Sequence, residues 1–339
     1  MEATHQYIER HSGEIRDEML KADRLIRLIY SGLRENASVL FRALTSSVLT
    51  EMIAWSHYDN PLKLKPSHIQ RMIRDLRINT DEIIEPECTR SLRTLFERKI
   101  AYWKTRPMPD GTDKVVSPCD ARMIPGSLDY GTSFFIKHKF FDMEELLGTD
   151  KYGWLSAFEG GHYAVFRLTP DKYHYNHAPV TGNVVDFYEI TGRYHSCNPS
   201  AVIELVTPYS KNKRVVTVIN TDVPGGTGAG LVAMVEIVAL MIGDIEQAYS
   251  DSAYDNPRKL ALNDVMLKGQ PKSLFRPGSS TVVLLFQKDR FAFSSDLLEN
   301  VGRADVQSRF SKGFGQSLVE TDLSVRSEIG IALKNKENK

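Results

Sequence analysis

The chain reads as an α+β protein, with an N-terminal helical region over residues 1–104 and a mainly antiparallel, β-rich domain over residues 105–339. Three observations predict this. Apolar residues recur at helical spacing in the first hundred residues. From Lys114 onward the pattern changes to short apolar runs punctuated by Gly, Pro and Asn. Strands and helices do not alternate regularly there, which disfavours a parallel doubly wound sheet.

The elements follow in order. Leu25, Ile26, Ile29 and Leu33, then Val39, Leu40, Ala43 and Leu44, line one helical face. Pro61 and Pro66 interrupt the pattern, and Ser67 is a candidate N-cap for a helix through Ile69, Met72, Ile73 and Leu76. Arg106-Pro-Met-Pro-Asp-Gly111 reads as a linker into the second region. Strands are expected over Tyr163–Leu168, Asn183–Tyr188, Val215–Ile219, Leu231–Ile242 and Thr281–Phe286. The run Gly225-Gly-Thr-Gly-Ala-Gly230 fails the G-x-G-x-x-G spacing, since Leu231 stands where the last glycine belongs, and reads as a connection between strands. The terminal KNKENK is a solvated tail.

At 339 residues the chain can bury a sizeable core, as one large domain or two small ones. Its 43 basic and 43 acidic residues cancel, which argues against a nucleic-acid footprint. Cys88, Cys119 and Cys197 are too few and scattered for a disulfide framework, so a reducing, cytoplasmic setting is expected. The N-terminus has no apolar signal-peptide core. The most apolar run, Leu231 to Gly243, contains Glu236 and falls short of the roughly twenty residues a bilayer span needs. Membrane contact would therefore be peripheral. Arg24, Arg27, Arg34 and Arg42, set among apolar residues, would suit a lipid surface as well as ordinary packing.

Chemistry is concentrated in Phe275-Arg-Pro-Gly-Ser-Ser-Thr-Val-Val-Leu-Leu-Phe286. A Pro-Gly turn feeds two hydroxyls into an apolar strand, where an unpaired hydroxyl costs stability. A serine Oγ held against the preceding carbonyl can attack it and convert the amide to an ester. β-Elimination then cuts the chain, and the dehydroalanine left behind hydrolyses to a pyruvoyl cap. Such a ketone can condense with a substrate amine and act as an electron sink. The bland alternative is a turn with two strand-capping hydroxyls.

That segment resembles the self-cleavage site of the phosphatidylserine decarboxylase family, Phe-x-x-Gly-Ser-Thr or Phe-x-x-Gly-Gly-Ser-Thr before an apolar strand ending Leu-Phe. Lys268-Gly269-Gln270 resembles the start of the family's Lys-Gly-x-Glu-x-Gly. Tyr173-His174-Tyr175-Asn176-His177-Ala178-Pro179-Val180-Thr181-Gly182 resembles Tyr-His-Arg-x-His-x-Pro-x-x-Gly, and Ser117-Pro118-Cys119-Asp120-Ala121 resembles Pro-Ala-Asp-Gly. Lys137-His138-Lys139-Phe140 with Glu145-Leu146-Leu147-Gly148 resembles Lys-Gly…Leu-Leu-Gly. The ordered set covers about residues 95–290; the first ninety show no such likeness.

The resemblance implies a pyruvoyl-dependent decarboxylase made as a proenzyme, which splits near 278–280 into a large and a small chain. It implies phosphatidylserine as substrate and phosphatidylethanolamine plus carbon dioxide as products. Carried over by matching positions, His177 is the base that activates the serine and Asp120 orients it. His174 helps return a proton after carbon dioxide leaves. Counting from Phe275 selects Ser279 as the reacting residue; counting back from Leu285-Phe286 selects Ser280, the preferred reading, with Gly278 before the scissile region. Adjacent strand residues face opposite ways, so only one serine can face the site.

Two departures bear on substrate. Tyr175 replaces the arginine between the histidines and removes a cation that could meet an anionic head group, and Ala121 replaces a glycine, making φ > 0 harder. A soluble relative acting on a free amino acid is thus the alternative substrate reading. A non-catalytic or metal-binding protein of the same fold, using His174 and His177 with His195 and Cys197, is the third; no carboxylate or cysteine spacing completes such a metal site. A homodimer and peripheral membrane contact are compatible with each enzyme reading.

Overall fold

The computed structural model describes residues 4–18, 20, 66–128, 140–205, 207–239, 244–278 and 280–333. The helical pattern from Leu25 to Leu44, Lys137-His138-Lys139, Met241–Gly243, Ser279 and the terminal tail lie outside these residues.

In chain order the strands are β1 Gln6–Glu9, β2 Ile15–Asp17, β3 Lys114–Val116, β4 Ala121–Ser127, β5 His162–Leu168, β6 Tyr175–His177, β7 Gly182–Ile190 and β8 Arg214–Asn220. They continue with β9 Leu231–Val238, β10 Ile245–Gln247, β11 Val265–Met266, β12 Pro271–Phe275, β13 Ser280–Phe286, β14 Phe291–Phe293, β15 Thr321–Leu323 and β16 Glu328–Ala332. Three helices matter to the site: α1 Pro66–Asp75, α2 Leu92–Phe96 and α3 Tyr102–Thr105.

A ten-stranded sheet runs β11-β7-β8-β9-β13-β5-β4-β15-β1-β2 and is antiparallel except at β1–β15. Two three-stranded sheets, β10-β12-β6 and β14-β16-β3, complete the set. The α+β class with a mainly antiparallel sheet is therefore observed. All five expected strands are present, the fourth ending at Val238. The glycine run links β8 to β9, with Gly225, Gly228 and Gly230 at positive φ.

Alternation along the central strands builds two cores. Val282, Leu284 and Phe286 point toward the two small sheets and pack in one cluster with Leu168, Val238, Ala178 and Phe275. Val283 and Leu285 point the other way, into a cluster with Leu146, Leu147, Phe158 and Phe310 from helical segments. The large sheet is thus covered on both faces, which is why β13 reads as a continuous apolar run instead of an alternating one.

Two expectations are corrected near the N-terminus. Residues 6–17 form a β-hairpin, not helix. Ile8 is buried between more exposed neighbours, and β1 is paired with β15, more than three hundred residues away, a partner invisible to local periodicity. Ser67 lies inside α1, which begins at Pro66; proline suits a first helical position because its missing N–H would be unbonded there anyway.

A buried ionic cluster fastens the hairpin. Arg167 of β5 donates to Glu18 (2.6 Å) and to Glu320 (2.6 Å), and His5 lies 2.8 Å from Glu320. The His5 imidazole and the Glu18 and Glu320 carboxylates lie close enough together to surround an ion. Arg167 already occupies that space, with Arg122 also pairing Glu18.

Candidate active site

Three of the matched segments converge where the β6 sheet covers the large one. The His177 N–H donates to the Pro118 carbonyl at 2.6 Å, joining the histidine segment to Ser117–Ala121. The Ala178 N–H donates to the Gln270 carbonyl and the Ala178 carbonyl accepts from the Gly269 N–H, both at 2.8 Å, and the Phe275 N–H donates to the His174 carbonyl at 3.1 Å. The described part of the fourth segment does not join them: Leu146 and Leu147 lie in the core on the helical side of the large sheet.

Ser280 opens β13, flanked in register by Leu168 of β5 and Val238 of β9. Strand alternation puts its side chain on the face of Val282 and Leu284, toward the sheet that carries His177. Ser280 is buried and its Oγ has no hydrogen-bond partner among the described residues. Gly278 precedes it with φ of 148°, a conformation open to glycine and strained for other residues.

Asp120 is held from two sides. Arg106 donates Nε to Oδ1 (3.0 Å) and Nη2 to Oδ2 (2.8 Å), a bidentate pair, and the Val325 N–H reaches Oδ1 at 2.7 Å. Burial works to raise its pKa, but the Arg106 charge and hydrogen bonds outweigh it and hold the carboxyl below its ordinary value. Arg106, read from sequence as linker, also binds Glu82 at 2.9 Å. Ala121 begins β4 without a positive φ, so alanine carries no backbone strain there.

Both histidines are wholly buried, and burial pushes each imidazole down to about 3. In His177, Nδ1 lies 2.9 Å from the Gly269 carbonyl, which can only accept, so Nδ1 carries the hydrogen. Nε2 is then the lone-pair nitrogen and receives the Tyr173 hydroxyl at 3.0 Å. The Tyr173 oxygen lies 2.7 Å from the Tyr254 hydroxyl. In His174, Nδ1 donates to the Lys172 carbonyl at 2.8 Å, the ring lies against Phe96 of α2 at 3.6 Å between centroids, and Nε2 has no partner.

Asp120, His174, His177 and Ser280 are thus gathered in one buried region. No hydrogen bond joins His177 to Asp120 or Ser280 among the described residues; the Asp120 charge acts on the imidazole through space. Ser279 lies outside the described residues. Tyr175, in place of a cation, stacks on Tyr173 (5.5 Å) and packs edge-on against Tyr254 (5.1 Å).

Sequence reasoning missed a second buried group on the same face. Glu236 of β9 pairs in register with Val282 and binds Lys272 Nζ at 2.5 Å, both side chains fully buried. Ser273 and Asn176 also donate to Glu236, and Gln247 donates to it at 3.3 Å while accepting from Lys272 at 3.0 Å. Because Asn176 sits between the two histidines, this network ties β6 to the large sheet. A lone carboxylate inside an apolar strand was the available signal.

A family model described as phosphatidylserine decarboxylase matches residues 92–310. The chain is 32% identical over 266 residues to phosphatidylserine decarboxylase proenzyme 2 of Oryza sativa, covering 77% of this chain and 37% of that protein. It is 29% identical to proenzyme 3 of Schizosaccharomyces pombe over 88% of this chain and 29% of that one. The chain therefore spans only about a third of the length of these two relatives. The proenzyme of Fusobacterium nucleatum is matched almost end to end, at 26% identity over 91% of this chain and 95% of the relative. With well over half of its residues inside the family model and its site built from the family's segments, the chain belongs to the phosphatidylserine decarboxylase family.

Proposed function

We propose that this protein is a pyruvoyl-dependent decarboxylase made as a self-cleaving proenzyme, acting on phosphatidylserine to give phosphatidylethanolamine and carbon dioxide. One observation carries the reading. A serine hydroxyl without a partner stands at the head of an interior strand, behind a positive-φ glycine and beneath the sheet that bears two buried histidines. Leaving such a hydroxyl unpaired costs about 1–3 kcal/mol, a cost that makes sense for a group destined to react.

The surroundings fit a pyruvoyl group. Ser280 would supply it, β5 and β9 would hold it on either side, and the apolar face around it would limit water. The group supplies an electrophilic carbonyl that takes up the substrate amine and the electrons released with carbon dioxide. The chain's own residues do the rest. Asp120, fixed by Arg106, favours a positive charge on His177 and so offsets part of what burial and the Arg326 and Arg106 charges do against it. His177 acts as base in the self-cleavage. His174, whose Nε2 lone pair is unengaged, would relay through that nitrogen the proton that returns to the α-carbon.

Tyr175 favours a second reading, a free amino acid as substrate: an aromatic wall of Tyr173, Tyr175 and Tyr254 stands where a head-group cation would be useful. No helix among the described residues is long and apolar enough to cross a membrane, so a lipid substrate would be met from the membrane surface.

Denaturing electrophoresis of fresh protein tests the proposal, with a small C-terminal fragment as the expected product. Mass spectrometry then assigns the serine: a pyruvoyl group followed by Thr281 means Ser280 reacted, and one followed by Ser280 means Ser279 did. Carbon dioxide release from phosphatidylserine vesicles against a panel of amino acids separates the two substrates. An active but unbroken chain with every serine intact overturns the reading.

A further inference from the structure

Arg98 lies two residues beyond α2 and is almost fully buried, at 3% exposure. Its hydrogen bonds go to carbonyl oxygens: Nη2 donates to Asp171 at 2.9 Å and Nη1 to Leu95 at 3.3 Å. No carboxylate lies within ion-pair distance among the described residues, and Nε has no partner at all. A buried guanidinium without a counter-ion is costly. Burial accordingly lowers its affinity for its own proton, and the more distant Asp120, Glu82 and Asp171 only partly offset this.

The position of this cation is informative. Arg98 and His174 are anchored on consecutive carbonyls of one loop, Asp171 for the guanidinium and Lys172 for the imidazole. The Arg98 charge is felt by that imidazole. The loop springs from β5 just beyond Leu168, the residue paired with Ser280. Phe96, from the same short segment as Arg98, forms the other wall of His174. Two buried nitrogens without partners, Arg98 Nε and His174 Nε2, therefore share one loop beside the head of β13.

We infer that Arg98 is the anion-binding residue of the substrate site and receives the substrate's carboxylate, with its Nε–H and the spare hydrogen of the adjacent Nη as a fork. This deepens the decarboxylase reading and rests on it. A carboxylate is favoured over a phosphodiester because His174 serves the α-carbon in that reading. The departing carboxylate is one bond from that carbon, whereas a head-group phosphorus lies three bonds away. A planar oxyanion also matches the side-on geometry of a guanidinium, which a lysine ammonium cannot reproduce.

The test uses the self-cleaved protein and ligand pairs that lack a reactive amine. One pair is short-chain phosphatidylserine without its amino group against phosphatidylethanol; the other is indole-3-propionate against 3-ethylindole. In each pair only the first member carries a carboxylate, and both lipids carry the phosphodiester. Competitive inhibition constants should favour the carboxylate member of the pair that suits the site by tenfold or more. Arg98→Met should bring that preference close to unity, and Arg98→Lys should retain part of it. A preference that survives Arg98→Met overturns the inference. So does an equal loss for phosphatidylethanol and its carboxylate partner, which would assign Arg98 to the phosphodiester or to folding alone. If Arg98→Met does not accumulate as folded protein, Arg98→Lys against the unmodified chain decides, an unchanged preference counting against the fork. A chain that neither cleaves nor releases carbon dioxide defeats the underlying reading instead, so the two failures are distinguishable.

Discussion

Replacing Lys272 with methionine should destabilise the protein severely, while replacing Lys272 and Glu236 together should not. The pair is fully buried and 2.5 Å apart. Removing one partner from such a pair typically costs about 3–5 kcal/mol, because the other charge stays behind in a medium that cannot solvate it. Here Glu236 would keep three neutral donors, from Asn176, Ser273 and Gln247. That places Lys272→Met near the lower end, about 3 kcal/mol. Methionine in both positions removes both charges and roughly preserves volume, so the double variant should lie within about 1–2 kcal/mol of the unmodified chain. Urea unfolding should be measured in the Ser280→Ala background, so that a single uncut chain unfolds and two-state treatment is meaningful. A Lys272→Met variant as stable as the double would refute the reasoning, since the network would then be worth no more than its packed volume.

Further outcomes follow from the same buried groups. Tyr173→Phe removes the one donor to His177 Nε2 among the described residues; it should cost about 1–3 kcal/mol and shift the pH profile of self-cleavage, followed on denaturing gels, and an unaltered profile would show that the hydroxyl does not govern the imidazole. Both histidines sit near 3 in the fold against about 6.5 in an unfolded chain. The unfolded state therefore takes up protons first, and their contribution to stability is fully present above about 6.5 and lost as pH falls toward 3. The urea midpoint of Ser280→Ala should fall on acidification through this window, less steeply when His177→Gln is added; parallel curves would contradict the assignment.

Much of the fold is legible in the sequence because its central strands are interior. Runs such as Val215–Ile219 and Thr281–Phe286 are β-branched or apolar at every position, and burial on both faces demands that composition. The β1–β2 hairpin is hidden for the opposite reason. It offers one inward residue, Ile8, while Ile15–Asp17 are exposed, and its register is set by a strand at the far end of the chain. The site divides in the same way. Asp120, His174, His177 and Ser280 stand in short local motifs and are found there. Arg98, Arg106, Tyr254 and Lys272 act through partners distant in sequence, and a cation in a polar stretch looks solvated until its burial is known.

The placement of β13 and β15 has a consequence for assembly. Both follow Ser280 in sequence, yet β13 is bordered by β5 and β9, and β15 by β4 and β1. A cut near residue 280 would release a covalent tether but no hydrogen-bonded ladder, leaving the C-terminal piece interleaved with its parent along five borders, the fifth between β16 and β3. Such a scission would have to follow folding, and the severed tail would have no exit short of global unfolding. Two halves synthesised separately would have to thread interior strands into a preformed gap, so under the proposed self-cleavage the uncut chain would itself be the assembly device.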